Sequence, residues 1–313
     1  MKIVITGALG HIGSRLIQTL PADFPDAEFL LIDDLETQRY CSLFNLPPAG
    51  FRLEVADVLS APLERFFTGA SAVIHLAAVT DAAASFAKRD RIAQDIEATG
   101  RVARACAVAG APLLFASTTS VYGSQSKLVD ENCPDEDLKP QSPYAEAKLA
   151  SEHLLARVGH EDGLRFVTCR FGTIFGVSQG MRFHTAVSKF LWQACFGQPV
   201  TVWRGAFDQR RPYLDLEDCV RAISFIVSKR IFDCSIYNVL TKNLSVREVI
   251  DTIRPHVSDL RVEFVDNELM NQLSYEVCRQ RFESTGFIFS GSLERAVADT
   301  FRLLANAGTL NRE

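Results

Sequence analysis

The sequence has no pair of cysteines in CxxC spacing, although eight cysteines are spread over its 313 residues. Their wide separation argues against a zinc site, and a chain of this length does not need a disulfide framework. No apolar run approaches the roughly 18 residues of a membrane span. The first residues, MKIVITGALG, enter a strand pattern at once and leave no room for a signal peptide. We therefore expect a reduced, soluble, cytoplasmic protein without a metal site.

Clusters of basic residues are also lacking. The chain has 33 lysines and arginines against 38 acids, a net charge of −5, and its basic residues are scattered. Proteins that bind nucleic acid usually carry a basic patch or stripe. Neither a nucleic acid nor a membrane is therefore an expected partner.

Short apolar runs alternate with helical patterns in the first half of the chain. The runs lie at 2–6, 29–32, 51–55, 72–78, 112–117 and 165–170. Strands separated by helices predict an α/β fold, a doubly wound parallel-sheet Rossmann domain that binds ligands at the carboxyl ends of its strands. We expect this domain at 1–172, with 208–240 partly returning to it, and a smaller C-terminal α/β substrate domain at 173–313. Further patterns predict helices near 183–196, 217–229, 245–254 and 292–304, and strands at 200–203 and 235–240.

The segment TGALGHIG follows the first predicted strand and places Gly7, Gly10 and Gly13 ahead of a helix. Glycines there allow a tight turn and let backbone N–H groups approach a pyrophosphate. Asp33 ends the second strand, 20 residues beyond Gly13. Its carboxylate can accept hydrogen bonds from an adenosine ribose and repel a 2′-phosphate, which favours NAD over NADP. A solvated loop is the alternative for Asp33. Asp57, after the third strand, either accepts from the adenine amino group or caps a helix.

Tyr144 and Lys148 stand one helical turn apart in SPYAEAKLASEHLL, so both project from one face. A tyrosine with its usual pKa of ~10 is a poor base at neutral pH. A neighbouring ammonium and a positive nicotinamide would stabilise the phenolate and lower that pKa. FASTTSVYG, after the fifth strand, offers Thr118 as a donor to the same substrate oxygen. Taken alone, the first segment also fits a surface helix and the second a Ser/Thr-rich turn.

Six segments together resemble one family in their order and spacing. They are TGALGHIG, the DD after the second strand, HLAA, FASTTSVYG, YAEAK and RRPYLDLEDCVRAI. This set resembles the extended short-chain dehydrogenases/reductases and, among them, the NAD-dependent nucleotide-sugar epimerase/dehydratase family. The resemblance implies that Tyr144 is the catalytic acid/base, that Lys148 tunes it and binds the nicotinamide ribose, and that Thr118 completes the catalytic set.

The same resemblance assigns binding residues. For NAD it implies, besides Tyr144 and Lys148, the residues Gly7, Gly10, Gly13, Asp33, Asp57, Ala77, Ala78 and Ser117, of which Ser117 would support the strand end. For a nucleotide-diphosphate sugar it implies Thr80, Ser120, Thr173 and Arg211. A guanidinium such as that of Arg211 suits a diphosphate because it offers several donors in a planar fork. A surface salt bridge is the alternative for this arginine.

Some positions depart from the family pattern. Dehydratases of the family carry an Asp-Glu pair directly after the catalytic threonine, where this chain has Thr119 and Ser120. Without a carboxylic acid there, a leaving hydroxyl is difficult to protonate, so the resemblance favours an epimerase, chiefly at sugar carbon 4. Asp95 and Thr173 each replace a usual Asn near the sugar and diphosphate pocket.

The sequence thus predicts an NAD-dependent epimerase of a nucleotide-diphosphate sugar that works through a transient keto intermediate. An NAD-dependent reductase or dehydrogenase of a 4-keto-6-deoxy nucleotide sugar is the alternative, and a non-catalytic NAD-binding regulatory module is a third interpretation. Apolar stripes on helices 91–110 and 143–158 predict a homodimer through a four-helix bundle. Burial within one chain explains part of the same pattern.

Overall fold

A parallel sheet of seven strands forms the centre of the first lobe in the computed structural model, which describes residues 1–80, 85–86, 89–125, 128–183, 185–266, 274–304 and 307. Its strands are β1 Lys2–Thr6, β2 Glu28–Asp33, β3 Gly50–Val55, β4 Ala72–His75, β5 Leu113–Thr118, β6 Phe166–Phe171 and β10 Ile236–Val239. Their order is β10-β6-β5-β4-β1-β2-β3, and every neighbouring pair is parallel.

Helices cover both faces of this sheet. The helices are α1 His11–Asp23 and α6 Leu216–Lys229 on one face, and α2 Leu63–Phe67, α3 Arg89–Ala109 and α4 Pro143–Asp162 on the other. Because both faces are covered, the central strands are continuous apolar runs, and β4 and β6 are buried along their whole length. The predicted doubly wound parallel sheet is confirmed.

The second lobe contains two small sheets. One consists of β7 Thr173–Phe175, β9 Arg210–Asp215 and β11 Lys242–Ser245, and the other pairs β8 Val200–Trp203 with β12 Val262–Val265. Helices α5 Ala186–Cys195, α7 Val246–Ile253 and α9 Leu293–Leu304 pack around a core that includes Val187, Val249 and Val297. A short helix, α8 Gln280–Glu283, lies against β10. The division into two domains at residue 172 stays a prediction.

The chain reverses its strand order between β1 and β4. From β1 it proceeds outward to β2 and β3, then returns to the other side of β1 for β4, β5 and β6. Ligands of open α/β sheets bind at such a switch point, beyond the carboxyl ends of the strands. Strand β4 ends at His75, not at 78 as expected, and the residues after it line this crevice. Within the described ranges, no helix is long and apolar enough to cross a lipid bilayer.

Candidate active site

A cavity of about 710 Å³ lies at this switch point and is lined by residues of both lobes. All the residues predicted to bind NAD or the substrate border this cavity, including the buried Gly13. The structure therefore brings together the glycine turn, the aspartates after β2 and β3, the strand end at Thr118 and the start of α4. One continuous cavity is large enough for an extended ligand.

The turn between β1 and α1 carries the three glycines. Gly7 has a φ of +66°, and a Cβ on it would lie 2.6 Å from the Ala77 nitrogen, so only glycine fits. Gly10 directly precedes α1 and borders the cavity, while Gly13 lies in the first turn of the helix. The amino end of α1 therefore opens toward the cavity. Because the turn carries glycines and no bulky side chains, its backbone N–H groups fit a dinucleotide pyrophosphate.

Asp33 ends β2 and supports the glycine turn directly. Its Oδ2 accepts a hydrogen bond from the Leu9 N–H and its Oδ1 one from the Leu35 N–H, each at 3.0 Å. Burial raises the pKa of this carboxyl, and the two backbone hydrogen bonds oppose that rise. Asp57 also borders the cavity, but its Oδ1 accepts from the Leu59 N–H at 2.8 Å. Asp57 therefore closes a local turn as well as facing the crevice.

Helix α4 begins where the sequence predicts, because the Ser142 hydroxyl accepts from the Ala145 N–H and Pro143 occupies the first turn. Burial raises the pKa of Tyr144 to about 12, and the neighbouring Thr118 side chain opposes that rise. Lys148 is buried, and its Nζ donates to the Ala116 carbonyl at 2.8 Å. Burial lowers the pKa of Lys148 to about 8. Tyr144 and Lys148, one turn apart on α4, thus border the same cavity as Thr118 at the end of β5, and the three are called the acid–base group below.

A buried ion pair lies behind this group. Glu152, one turn after Lys148, accepts from Arg170 of β6, with Nη2 to Oε2 at 2.7 Å and Nε to Oε1 at 3.1 Å. The Ser117 hydroxyl donates to the same carboxylate. Through Glu152, the Ser117 side chain contacts α4, the helix that also carries Tyr144. The Ser117 side chain therefore supports the strand end.

Asp95 of α3 lies beside the acid–base group. Its Oδ2 accepts from the Val79 N–H at 2.9 Å, which fixes the segment after β4 that contains Ala77 and Ala78. Burial raises the pKa of Asp95, while the positive charge of Lys148 lowers it. The carboxylate also raises the pKa of both Tyr144 and Lys148. The usual Asn of the family would accept the same hydrogen bond without this charge.

A segment of the second lobe, residues 176–183, packs on the glycine turn, and no sequence motif pointed to it. The Ser178 hydroxyl donates to the His11 carbonyl at 2.9 Å, and the Gly180 N–H donates to the Ser14 hydroxyl at 2.9 Å. A side chain at Gly180 would collide with the carbonyl oxygens of Leu9 and Gly10. The 176–183 segment therefore holds α1 closely from the second lobe. Its Arg182, and Arg39 of the first lobe, also border the cavity.

The far side of the cavity holds the residues predicted for the substrate. Thr80, Ser120, Thr173 and Arg211 all border it. Thr80 accepts a hydrogen bond from Arg182, and Arg211 contacts Gln209 across 3.4 Å. Sequence reasoning missed further lining residues from the second lobe. Tyr213 lies in the RRPYLDLEDCVRAI segment but was given no role, and the others belong to no motif: Lys189, Phe190, Val202, Trp203 and Tyr275.

Helices α3 and α4 use most of their apolar residues within the chain. Val102 and Cys106 of α3 and Leu155 and Val158 of α4 belong to the core on one face of the sheet. Val108 is the exception, with 77% of its surface exposed. Burial in one chain thus accounts for much of the pattern, and a homodimer through these helices stays a prediction.

Comparison with known proteins gives a family match. The family described as NAD dependent epimerase/dehydratase matches residues 3–239. A Bacillus subtilis protein described as an uncharacterized UDP-glucose epimerase is 33% identical over 240 residues, which cover 73% of each chain. These matches confirm the family resemblance, the enzyme class and the NAD dependence predicted from the sequence.

One further relative differs in activity and in length, and a solved structure matches nearly the whole chain. A trifunctional Arabidopsis thaliana enzyme, named as a UDP-glucose 4,6-dehydratase, UDP-4-keto-6-deoxy-D-glucose 3,5-epimerase and UDP-4-keto-L-rhamnose-reductase, is 29% identical over 304 residues. The match covers 91% of this chain but only 44% of that enzyme. A solved structure of MoeE5 in complex with UDP-glucose and NAD is 25% identical and superposes with a TM-score of 0.85, covering 98% of this chain and 99% of that one. The relatives therefore include both the predicted activity and its alternative.

Proposed function

The chain belongs to the NAD dependent epimerase/dehydratase family, and we propose that it is an epimerase of a nucleotide-diphosphate sugar that acts at sugar carbon 4. The observation that carries this proposal is the distribution of acids around the cavity. Its described lining residues with carboxylates are Asp33, Asp34, Glu36 and Asp57 on the dinucleotide side, and Asp95 beside Tyr144 and Lys148. Hydroxyl groups, not acids, follow Thr118.

This distribution separates epimerisation from dehydration. Elimination of water from a sugar needs an acid that protonates the leaving hydroxyl. Thr119 is buried and its hydroxyl donates to the Phe171 carbonyl, while Ser120 is the small residue that borders the cavity. Neither has the acidity for that task. Removal and return of one hydroxyl proton needs only Tyr144 and the groups that tune it.

The dinucleotide half of the cavity fits NAD. A side chain at Gly7 would displace the backbone of Ala77, and one at Gly180 would displace the backbone of Leu9 and Gly10, so both positions need glycine to keep the turn in this shape. Asp33 would face the adenosine ribose, and Lys148 the nicotinamide ribose. When bound, NAD would supply the acceptor for the hydride from the sugar carbon and would return that hydride to the keto intermediate. Tyr144 as phenolate removes the proton from the sugar hydroxyl and later returns it, with Thr118 donating to the same oxygen.

The charge of Lys148 decides whether Tyr144 can act near neutral pH. Burial is the largest of the causes that raise the pKa of Tyr144 to about 12, which disfavours the phenolate. We expect a protonated Lys148 one turn away, together with the positive nicotinamide of bound NAD, to lower this pKa toward the working range. Because burial lowers the pKa of Lys148 to about 8, the ammonium form persists at neutral pH and is lost above it. We therefore expect activity to fall on the alkaline side.

Two basic residues and an apolar wall support a nucleotide diphosphate as the second ligand. Lys189 and Arg211 border the second-lobe side of the cavity beside Phe190, Val202 and Trp203. Cationic side chains suit a diphosphate, and the aromatic and aliphatic groups suit a base. A UDP sugar is the first candidate, given the names of the relatives. A homodimer in the cytoplasm remains our expectation, and the eight free cysteines fit a reducing compartment.

The direct test is conversion of nucleotide sugars without added cofactor. UDP-glucose, UDP-glucuronic acid and UDP-N-acetylglucosamine are incubated with the purified chain, and the products are separated by chromatography. We expect one pair of carbon-4 epimers to interconvert, and Tyr144→Phe to lower kcat at least about 100-fold while NAD stays bound. Loss of water from the sugar, or a requirement for one equivalent of NADH per product, would contradict epimerisation. The second result would favour the reductase.

A further inference from the structure

Arg39 carries a guanidinium for which the described part of the chain supplies no hydrogen-bond acceptor. Its side chain is half-buried at the cavity wall and, among the described residues, forms no hydrogen bond and no ion pair. Asp33 attracts it electrostatically, but the two oxygens of that carboxylate already accept the Leu9 and Leu35 N–H groups. A guanidinium has five N–H donors, and donors left unpaired at a partly buried position cost free energy.

Arg182 brings a second guanidinium to the same wall from the other lobe. Its Nη2 donates to the Thr80 hydroxyl, so it reaches from the 176–183 segment to the residues after β4. Arg182 lies close enough to Arg39 for their repulsion to contribute to a lowered pKa of Arg39. Two like charges held together in a cavity are unfavourable unless an anion lies between or beside them.

The place of this pair identifies the anion. A Cβ on Gly10 would lie 3.7 Å from Nη1 of Arg39, so this guanidinium lies over the glycine turn. Thr80, which holds Arg182, follows Ala77, the residue that packs on Gly7. Both arginines thus border the turn that precedes α1. A phosphate there would give both guanidinium groups charge-assisted hydrogen bonds.

We propose that Arg39 and Arg182 clamp the pyrophosphate of the dinucleotide from the two lobes, so that release of the cofactor requires the 176–183 segment to move. This clamp rests on the proposed function only for the identity of the cofactor. It does not depend on which reaction the chain catalyses. A 2′-phosphate on the adenosine ribose is disfavoured because Asp33 and Asp34 carry carboxylates at the end of β2. Arginine suits this role because its planar fork binds two phosphate oxygens at once.

The experiment compares Arg39→Gln and Arg182→Gln with Arg52→Gln as the matched control. Arg52 lies on β3, where it pairs with Glu54 and 73% of its side chain is exposed. Exchange of bound NAD for isotopically labelled NAD is followed by mass spectrometry of nucleotides released on denaturation. Protein stripped of nucleotide is then titrated calorimetrically with ADP-ribose, which has the pyrophosphate, and with adenosine, which lacks it.

We expect each cavity variant to weaken ADP-ribose binding about tenfold to a hundredfold, as for loss of one or two charge-assisted hydrogen bonds. NAD exchange should accelerate by a similar factor in Arg182→Gln, while adenosine binding and the control should stay within about twofold of the parent chain. Unchanged ADP-ribose binding would overturn the clamp. An equal loss of adenosine binding would also overturn it, because the effect would then be a general disturbance of the site.

Two outcomes separate the clamp from the function. A parent chain that binds ADP-ribose through both arginines but epimerises no nucleotide sugar would support the clamp and refute the proposed reaction. If Arg39→Gln instead loses binding only of ligands with a 2′-phosphate, the clamp is wrong and the preference for NAD is wrong with it.

Discussion

Disruption of the buried Glu152–Arg170 pair should destabilise the chain more when one partner is removed than when both are. The two side chains have only 3% and 4% of their surfaces exposed, and three hydrogen bonds join them. The pair connects α4 to β6 and, through Ser117, to the end of β5. It therefore holds together the elements that carry Tyr144 and Thr118.

The magnitude follows from burial. Glu152→Met leaves the Arg170 guanidinium buried without this counter-ion. Arg170→Met leaves the Glu152 carboxylate buried with the Ser117 hydroxyl as its remaining donor among the described residues. Breaking such a buried pair costs about 3–5 kcal/mol, whereas replacing both partners with apolar groups of similar volume is often neutral. For a chain of 313 residues, about 4 kcal/mol lowers Tm by roughly 6 °C.

The assay is thermal unfolding in a reducing buffer, because all eight cysteines are free. We expect both single variants to melt roughly 6 °C below the parent chain, and the double variant to recover at least about half of that loss. A double variant that melts as low as the sum of the two single losses would refute the reasoning, because it would mean that the two side chains stabilise the fold independently.

Three further outcomes test the site. Asp95→Asn keeps the acceptor for the Val79 N–H but removes the charge that raises the pKa of Tyr144 and of Lys148. The whole kcat–pH profile should therefore move about 0.5–1 unit to lower pH, and a shift to higher pH would contradict this electrostatic role. Lys148→Met should abolish most activity yet raise Tm at pH 7. The folded pKa of Lys148, about 8, lies below its ordinary 10.5, so the buried protonated lysine destabilises the fold. The gain in Tm should shrink between pH 8 and 10.5, and a gain that does not depend on pH would refute this reasoning. Gly180→Ala should speed the exchange of bound NAD at least about tenfold, because the methyl group of the alanine displaces the 176–183 segment from the glycine turn. Unchanged exchange would show that this segment does not control release of the cofactor.

The sequence was informative wherever a function depends on neighbours along the chain. The glycine turn, the end of β2 at Asp33 and the Tyr144–Lys148 pair each lie within one strand–helix unit, so spacing alone placed them. Arg39 and Arg182 were missed because they meet only through the packing of the 176–183 segment on α1, across more than a hundred residues of chain.

The second lobe was harder to predict for a physical reason. Strands β7, β11 and β12 have three or four residues each, and β11, Lys242–Ser245, is partly polar. Such segments carry too few residues for an alternating pattern, and pairing with neighbouring strands decides their conformation. The family resemblance supplied roles for residues that the pattern alone left open, such as Asp57, whose carboxylate also closes a turn.

The most direct test of the central claim follows the hydrogen on sugar carbon 4. A mixture of UDP-glucose and the same compound with deuterium at carbon 4 and carbon-13 through the ring is incubated with the chain without added cofactor. The account requires that Tyr144 exchange only the hydroxyl proton, so the epimer should keep its deuterium in the carbon-13 molecules. Deuterium that is lost to solvent, or that passes to unlabelled product in a statistical mixture, would contradict an epimerase that retains its cofactor.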